Sequence, residues 1–562
     1  MTRLLDRRSA GKDARMPASR IPLALVAAGA LTAGLLAAPS AALADTAPRN
    51  GDPATVSTDA LPTPQINGVV WSQVVIGDTV YAAGRFSKVR NAGEPASAGR
   101  PIRNMLAYNI TTGDLLPDFA PGFNSEVRSI AVSGDKKTIY AVGNFTAVNG
   151  AKHTRIAAIS AATGENRKFS GSLNSLPYTV AVKGSTVYAG GQFTSASGKK
   201  RTRLAAFSTE GALRSWAPTA NRAVQAMAVS PSGSSVVVGG HFSTINGKKA
   251  LGSARVNSGS GKTNQTWTVN KSVENNGPDA AIYSISSDSS YVYMSGYSYH
   301  PEGGGKMKRL EGVVSATWGS GAVHWLEDCK GDSYDSFPIG DVVYTASHAH
   351  DCSTMGAFKQ SKPIRYNHSL AFSRDATGKV ATQKKKQYTN FGGKPAPTLL
   401  DWYPSWTIGQ YTGLKQAVWS VSGDSRYVVY GGEFTAVNGN AQQGLTRFAI
   451  SSLAPNQDGP RLDGDEFVPT LKALGGGRVQ IGFEANFDRD NKYLTTEVLR
   501  YQPDGAVSIA CTISTPARYY FSRPDYGCTD TYTPGAQVSY RLRAVDPFGN
   551  KATGDPKTIT IQ

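Results

Sequence analysis

Two histidines near the middle of this 562-residue chain follow closely on a run of acidic residues. His348 and His350 are separated by one residue, so a β-strand would project both side chains from the same face. Such a group suits a divalent metal held by His348, His350 and Asp328, or acid–base catalysis by His348, His350 and Asp332 on a glycan or an ester. The alternative is a structural loop whose histidines hydrogen-bond to nearby backbone. On the structural interpretation the protein needs no cofactor, and this is our prediction. A divalent metal is the alternative.

An aromatic segment, residues 399–411, is the second feature that could bind a ligand. Flat rings beside polar groups suit sugars, because the rings contact the C–H faces while the polar groups bond the hydroxyls. The alternative is an insertion whose aromatic side chains cover a hydrophobic edge of the fold. The ligand-binding candidates in this segment are Trp402, Tyr403, Trp406 and Tyr411.

A repeated apolar strand that ends in Gly-x-Phe-Ser/Thr indicates which elements position these residues. The copies recur at intervals of about 50 residues, enough for four short strands with turns, which is the size of one propeller blade. The strands alternate apolar and polar residues, and the chain after the N-terminal region has no sustained helical period, so we predict an all-β protein. Residues 65–455 are predicted to form a seven-bladed β-propeller. The copies place Gly, or its equivalent, at Gly84, Gly143, Gly191, Gly240, Gly296, Ser347 and Gly432.

The residue between Gly and Phe varies among polar types while its neighbours stay constant. Equivalent positions of propeller blades form a ring around the axis. This position is therefore either a ring of ligand-facing groups or a set of side chains that point to solvent at a strand end. His241 and Tyr297 join the ligand-binding candidates on the first interpretation. The whole set is Arg85, Asn144, Gln192, His241, Tyr297, His348 and Glu433.

The copy Gly143-Asn-Phe-Thr-Ala-Val-Asn-Gly150, followed by Arg155-Ile-Ala-Ala-Ile159 and Thr163-Gly164, resembles the delta-60 type of bacterial β-propeller repeat. Seven such copies with a C-terminal module are similar to secreted actinobacterial propeller proteins, some of which are joined to glycan-binding or adhesion modules. The resemblance implies the propeller fold. It implies no particular activity, because propellers serve as enzymes, lectins and scaffolds alike.

The C-terminal part of the chain has a different strand pattern. A Pro- and Gly-rich linker at 456–466 precedes residues 467–562, and the stretch from Thr533 to Asn550 resembles a fibronectin type III domain. We therefore expect an immunoglobulin/fibronectin III-like β-sandwich there. An even number of cysteines in an exported chain suggests disulfides. Four cysteines allow three connectivities, of which the local one, Cys329 with Cys352 and Cys511 with Cys528, is favoured because each pair lies in one structural unit.

The N-terminus has the features of an export signal. The first 20 residues carry six basic residues, residues 21–44 carry no charge, and Ala42-Leu43-Ala44 is a small-x-small cleavage site. We predict a signal peptide at 1–44, a linker at 45–64, no transmembrane segment after cleavage, and a secreted product that is extracellular or bound to the cell wall. The formal net charge of +18 is spread over the chain, which favours solubility over nucleic-acid binding.

The sequence holds no complete catalytic constellation, such as a Gly-x-Ser-x-Gly elbow or a His-Glu-x-x-His metal motif. The predicted function is therefore non-catalytic binding or scaffolding at the cell surface or in the medium. The expected partner is an envelope glycan or a surface protein. The alternative is an extracellular polysaccharide-active hydrolase or lyase that uses the His/Asp site in the sixth blade.

Overall fold

The computed structural model describes residues 53–263, 266–299 and 307–562. The signal peptide predicted at 1–44 lies outside these residues. The described chain is built from β-strands, which confirms the prediction of an all-β protein, and it contains no helix that is long and apolar enough to cross a membrane. Four short 3₁₀ helices interrupt the loops, at Ala96–Ala98, Val269–Lys271, Ser353–Met355 and Tyr519–Phe521.

Antiparallel sheets of three or four strands follow one another along residues 69–449, and we number them in chain order. In each sheet the second strand pairs with both the first and the third. Sheet 1 contains Val69–Ile76, Thr79–Arg85 and Met105–Asn109; sheet 2 Val127–Val132, Thr138–Gly143 and Ile156–Ser160; sheet 3 Pro177–Lys183, Thr186–Gly191 and Leu204–Ser208; sheet 4 Val224–Val229, Ser235–Gly240 and Ser253–Asn257; sheet 5 Ala280–Ser287, Tyr291–Ser298, Gly312–Thr317 and Val323–Leu326; sheet 6 Ser333–Ile339, Val342–Ala349 and Asn367–Ser373; and sheet 7 Val418–Gly423, Tyr427–Gly432 and Leu445–Ala449.

The first strands of neighbouring sheets pack against one another in sequence order. The first strand of sheet 7 packs in turn against the first strand of sheet 1, so the series closes on itself. This arrangement is propeller-like, with the first strands on the inside. Short two-residue pairings lie in the loops: Gln65–Ile66 with Val89–Arg90, Ala147–Val148 with Ala151–Lys152, Ser195–Ala196 with Lys199–Lys200, Thr244–Ile245 with Lys248–Lys249, Gly378–Lys379 with Pro395–Ala396, and Ala436–Val437 with both Trp406–Thr407 and Asn440–Ala441.

The Gly of the repeat permits a β-bulge in the strand beside it. Gly84 lies opposite the register shift between Val70 and Ser72, and a Cβ added to Gly84 would lie 2.0 Å from the carbonyl oxygen of Val69. In sheet 2, a Cβ added to Gly143 would likewise lie 2.2 Å from the carbonyl oxygen of Glu126. A larger residue would push the strands apart. The repeat therefore specifies a bulge in the first strand, and a bulge changes the direction in which a side chain points.

The N-terminal segment completes sheet 7. In sheet 1, the chain that follows the third strand pairs with that strand through a single β-bridge, between Leu115 and Tyr108, and other sheets have an equivalent bridge. In sheet 7 the equivalent bridge joins Leu61 to Arg447, and Ser57 N donates to Ala449 O at 2.8 Å. Part of the segment predicted as a linker at 45–64 is thus the outer edge of sheet 7. We call residues 55–63 the N-terminal strap.

The side chain of Arg447 joins the two ends of this closed series. It is 2% exposed, and its guanidinium donates to Pro62 O at 2.7 Å, to Thr111 O at 2.9 Å and to Ile110 O. The strap, the end of sheet 1 and the third strand of sheet 7 therefore share one buried donor group.

Residues 467–562 form two further antiparallel sheets that share one hydrophobic core. The disulfide Cys511–Cys528 joins the two sheets, and Cys329–Cys352 lies beside sheet 6, so both predicted disulfide pairs are confirmed. The first C-terminal sheet contains Thr470–Gly475, Arg478–Glu484 and Asp525–Thr531. The second contains Tyr493–Tyr501, Val507–Pro516, Gln537–Val545, Lys551–Thr553 and Lys557–Thr560.

Candidate functional site

The seven bulges direct one residue from each first strand toward the centre of the molecule. In every first strand the register shift skips a single residue, and each skipped residue lines a central cavity of about 360 Å³. We call this set the bulge ring. Because its members come from all sheets, the cavity lies along the axis around which the sheets are arranged. The bulge ring consists of Trp71, Arg128, Tyr178, Gln225, Tyr283, Tyr334 and Trp419.

A second cavity of about 580 Å³, here called the outer cavity, lies at the end of the axis where the Gly-x-Phe motifs are. Five members of the bulge ring line both cavities and so lie between them. The outer cavity adds polar and aromatic groups from loops and from the motif positions. Apart from Val69, Thr412 and Leu414, the residues that line it are Trp71, Arg85, Glu126, Arg128, Tyr283, Tyr297, Tyr299, Asp332, Tyr334, His348, Tyr411, Gln416 and Trp419.

Aromatic members of the bulge ring from neighbouring sheets contact one another around the axis. The ring centroids of Trp71 and Trp419 are 5.1 Å apart, those of Tyr334 and Trp419 4.4 Å, and those of Tyr283 and Tyr334 5.8 Å. The first and third pairs pack edge to face and the second is tilted, and edge-to-face packing stabilises aromatic pairs beyond the area they bury. The base of the outer cavity is therefore a fixed apolar surface.

Both indole N–H groups of this base are held by carboxylates. Trp71 Nε1 donates to Glu126 Oε1 at 2.7 Å, and Trp419 Nε1 donates to Glu433 Oε1 at 3.2 Å. Arg128 lies over the ring of Trp71 at 4.4 Å and is paired with Glu126 at 3.1 Å. Neither indole N–H is thus free to bond a ligand, and Arg128 covers one face of the Trp71 ring.

A loop over the outer cavity carries Tyr411, and the motif residue of sheet 7 holds this loop in place. Glu433 accepts hydrogen bonds from Thr412 N at 2.7 Å and from Thr412 Oγ1 at 2.5 Å. Tyr411 remains 44% exposed and faces Arg85, whose guanidinium carbon lies 5.6 Å from the ring centroid. The loop therefore presents an accessible ring beside a cationic group.

His348 and Asp332 lie together on another wall of the outer cavity. His348 Nε2 is 4.0 Å from Asp332 Oδ2, while His348 Nδ1 is 2.9 Å from the hydroxyl of Tyr334 and 3.0 Å from Gln416 Nε2. Burial raises the pKa of Asp332, and the nearby His348 and the N–H of Ser298 act in the opposite direction. The pair has the chemistry of an acid and a base, and its atoms line the cavity.

Five residues that the sequence singled out meet in the outer cavity: Arg85, Tyr297, Asp332, His348 and Tyr411. His241 is adjacent to them, since its Nε2 lies 3.2 Å from the hydroxyl of Tyr297. The motif positions do not behave alike, however. Arg85, Asn144 and Gln192 are exposed, whereas Glu433 is buried. Neither a complete ring of ligand-facing groups nor a set of solvent-facing side chains describes all of them.

The proposed metal ligands do not come together. Asp328 is buried and paired with Lys330 at 2.5 Å. His350 lies outside the lining of the outer cavity, and burial lowers the pKa of its imidazole to about 4. Across residues 53–562, apart from the two short gaps, no three side chains of His, Cys, Asp and Glu are arranged to hold a metal ion.

Three of the four aromatic candidates in residues 399–411 are packed inside the protein. Trp402 is fully buried, and its ring lies 5.3 Å from that of Tyr344. Tyr403 is also buried and stacks on Tyr519 of the C-terminal region at 4.8 Å. Trp406 packs on core rings and donates from Nε1 to Ser369 Oγ at 2.8 Å. These side chains cover hydrophobic surface, as the alternative interpretation held, and only Tyr411 reaches the cavity.

The bulge ring is the part of the site that the sequence analysis missed. A signal was present, because all five of its aromatic members stand thirteen residues before the Gly position of their copy: Trp71, Tyr178, Tyr283, Tyr334 and Trp419. That regularity has no meaning until the bulge is known. A bulge changes the direction in which a side chain points, so the period-two rule alone does not predict that these residues face the axis.

Behind the His348 wall lies a buried carboxyl that makes stability depend on pH. Burial raises the pKa of Glu311 from its ordinary 4.5 to about 7, although the N–H of Gly331 donates to its Oε2 at 3.0 Å. The unfolded carboxyl loses its proton at lower pH than the folded one. Stability is therefore lost as pH rises from about 4.5 to about 7, by up to roughly 3 kcal/mol.

We expect Glu311→Gln to remove this loss, because an amide oxygen can still accept from Gly331 and carries no charge. The free energy of unfolding of the variant minus that of the wild type should be larger at pH 8 than at pH 4. Denaturant unfolding of both proteins at both pH values measures this difference. Glu466→Gln, at an exposed position, is the matched control and should show no such gain. An equal pH dependence of the wild type and Glu311→Gln would contradict the assignment.

Comparison with known proteins adds little to this description. No family model matches the chain, and no curated protein matches it. Among solved structures, the chain is similar to one described as "Crystal Structure of Mitotic Checkpoint Complex", with 10% sequence identity and a TM-score of 0.38. The match covers 71% of this chain and 98% of that chain. A likeness of this degree supports no statement about activity or ligand.

Proposed function

We propose that the protein is an exported, non-catalytic binding protein whose outer cavity recognises a cell-envelope glycan. In this proposal sheets 1 to 7 are the blades of a seven-bladed, delta-60-type β-propeller, and residues 467–562 are a fibronectin type III-like module. The bulge ring carries the proposal. It supplies aromatic faces at the base of a cavity whose walls hold charged and amide groups, and this combination suits sugars.

The size of the outer cavity favours a short stretch of glycan over the face of a folded protein. Its volume of about 580 Å³ falls within the roughly 300–1,000 Å³ of small-ligand sites. The indole N–H groups are already bonded to Glu126 and Glu433, so a ligand would lie on the rings. Arg85, Gln416 and Asp332 are then placed to bond its hydroxyls.

Tyr411→Ala tests this site. We expect the dissociation constant for the bound glycan to rise at least tenfold, about 1.4 kcal/mol, because an accessible ring over the cavity is lost. The melting temperature should stay close to that of the wild type. Phe548→Ala removes a similarly exposed ring, 40% exposed, from the C-terminal region and serves as the control. Calorimetric titration of both variants measures the effect. Unchanged binding in Tyr411→Ala, or equal loss in both, would contradict the proposal.

One observation favours a second candidate function, an extracellular polysaccharide hydrolase or lyase. His348 Nε2 and Asp332 Oδ2 lie 4.0 Å apart on the cavity wall, and the raised pKa of Asp332 suits a group that donates a proton. In this candidate Asp332→Asn abolishes the release of new reducing ends or unsaturated products while glycan binding is retained. If the wild type releases no product from any bound polysaccharide, binding without catalysis stands.

A further inference from the structure

A second group of acidic residues lies outside the lining of the outer cavity, where the C-terminal region meets the N-terminal strap. Three of its aspartates are buried: Asp488 and Asp490 in the loop after Arg478–Glu484, and Asp546 in the loop after Gln537–Val545. The side chain of Asp458, in the segment that leads into the C-terminal region, is 8% exposed. Burying this many carboxyl groups together is unfavourable unless a positive charge compensates them.

The protein supplies positive charge to only one of these carboxylates. Arg489 Nη1 lies 2.7 Å and Arg461 Nη1 3.2 Å from the same oxygen, Asp458 Oδ1. In the described part of the chain, Asp488, Asp490 and Asp546 have no ion pair with any lysine, arginine or histidine. Burial and the neighbouring carboxylates raise the pKa of Asp488 well above its usual range.

Buried oxygen atoms in the same group also lack hydrogen-bond donors. Within the described residues, Asp488 Oδ2 and Asn491 Oδ1 have none, although Asp488 is only 3% and Asn491 only 2% exposed. Asn491 donates from Nδ2 to Asp490 Oδ1 at 2.7 Å, which places its amide group beside that carboxylate. An amide oxygen without a donor among buried carboxylates is the environment of a cation site.

The backbone around these groups is held in place independently of any ion. Asp546 Oδ1 accepts from Phe548 N at 2.9 Å and from Asn550 N at 2.8 Å. Asn550 Nδ2 donates to the carbonyl oxygens of Asn456 at 2.8 Å and Asp458 at 3.1 Å. The two loops and the entering segment are therefore bound to one another, and the oxygen atoms are gathered on a fixed frame.

We propose that Asp488, Asp490 and Asn491 bind one calcium ion at this junction. The donors are carboxylate and amide oxygens without sulfur or imidazole, which is the ligand set of a hard cation. Because no three carboxylates converge on one point, amide, main-chain or water oxygens complete the coordination. Calcium accepts such mixed and irregular oxygen sets, whereas magnesium requires near-octahedral geometry.

The ion would also fix how the C-terminal region is attached. Asp490 Oδ2 accepts from Thr58 N at 2.6 Å, and Thr58 Oγ1 donates to Asp458 Oδ2 at 2.7 Å. Thr58 belongs to the strap that completes sheet 7. Calcium at Asp490 therefore stabilises the strap, the entering segment and the C-terminal loops together.

The test is a titration of the full chain, freed of metal by a chelator, with Ca²⁺ in a calorimeter and with Tb³⁺ by luminescence. We expect one saturable site per chain. Calcium at a hundredfold excess over its dissociation constant should raise the melting temperature of a chain of this size by about 3 °C, and magnesium should do so far less. Asp488→Asn should weaken calcium binding at least tenfold. Asp504→Asn, in an exposed turn of the same region, is the control and should bind as the wild type does.

The wild-type titration decides the matter even if Asp488→Asn fails to fold. Absence of saturable binding at about 10 mM Ca²⁺, well above the roughly millimolar constants of weak extracellular sites, would overturn the proposal. So would a folded Asp488→Asn that binds calcium like the wild type. Glycan binding is not measured here, so this result is independent of the function proposed for the outer cavity.

Discussion

Arg447→Ala is expected to lower the free energy of unfolding by about 4 kcal/mol. The guanidinium of Arg447 is buried without a carboxylate and donates to the carbonyl oxygens of Pro62, Ile110 and Thr111. Alanine would leave these three acceptors without donors and would open a cavity between the strap and sheets 1 and 7. Urea denaturation of the full chain, followed by tryptophan fluorescence, measures the loss.

Arg426→Ala is the matched control for this prediction. Arg426 lies in the turn between the first two strands of sheet 7. Its side chain is 42% exposed and pairs with Asp78 and Asp424 at the surface. Exposed pairs contribute less than about 1 kcal/mol. A loss below about 1 kcal/mol in Arg447→Ala would mean that closure of the sheet series does not depend on this residue.

Trp402→Ala is expected to cost a similar amount, about 4 kcal/mol. The ring of Trp402 is fully buried and lies within 6 Å of the rings of Tyr344, Tyr430 and Phe448. Its removal leaves a cavity that rigid neighbouring rings cannot fill. The same denaturation measurement applies.

The comparison for Trp402→Ala is Tyr411→Ala, nine residues along the same aromatic segment. Because Tyr411 is exposed, its loss should change the free energy of unfolding by no more than about 0.5 kcal/mol. The two variants thus separate packing from binding within one segment. An unchanged free energy of unfolding in Trp402→Ala would contradict the burial of this ring.

The sequence predicted the sheets well because its repeat is a steric requirement. Gly84 and Gly143 recur where a Cβ would strike the neighbouring strand, and Phe86 and Phe145 recur because they are buried between sheets. Such constraints are local, so they can be read from one copy and found again in the next. The disulfide pairs were predictable for the same reason, since each joins residues close in sequence.

The composition of the site was only partly predictable, because it depends on positions that are far apart in the chain. Trp71 and Trp419 meet where sheets 1 and 7 close the series, although 348 positions separate them. Trp402 and Tyr411 have similar surroundings in sequence, yet one enters the core and the other reaches the cavity. Aromatic density alone does not distinguish these outcomes, because rings suit a core as well as a sugar face.

Recognition of an envelope glycan by the outer cavity is tested most directly by titrating the full chain with a panel of purified envelope polysaccharides. Intrinsic tryptophan fluorescence is a suitable signal, because Trp71 and Trp419 line the cavity. We predict saturable binding of at least one polysaccharide, with one site per chain and a change in the tryptophan emission. If no polysaccharide binds, or if binding saturates without any change in emission and is unaffected by Tyr411→Ala, the outer cavity is not a glycan site.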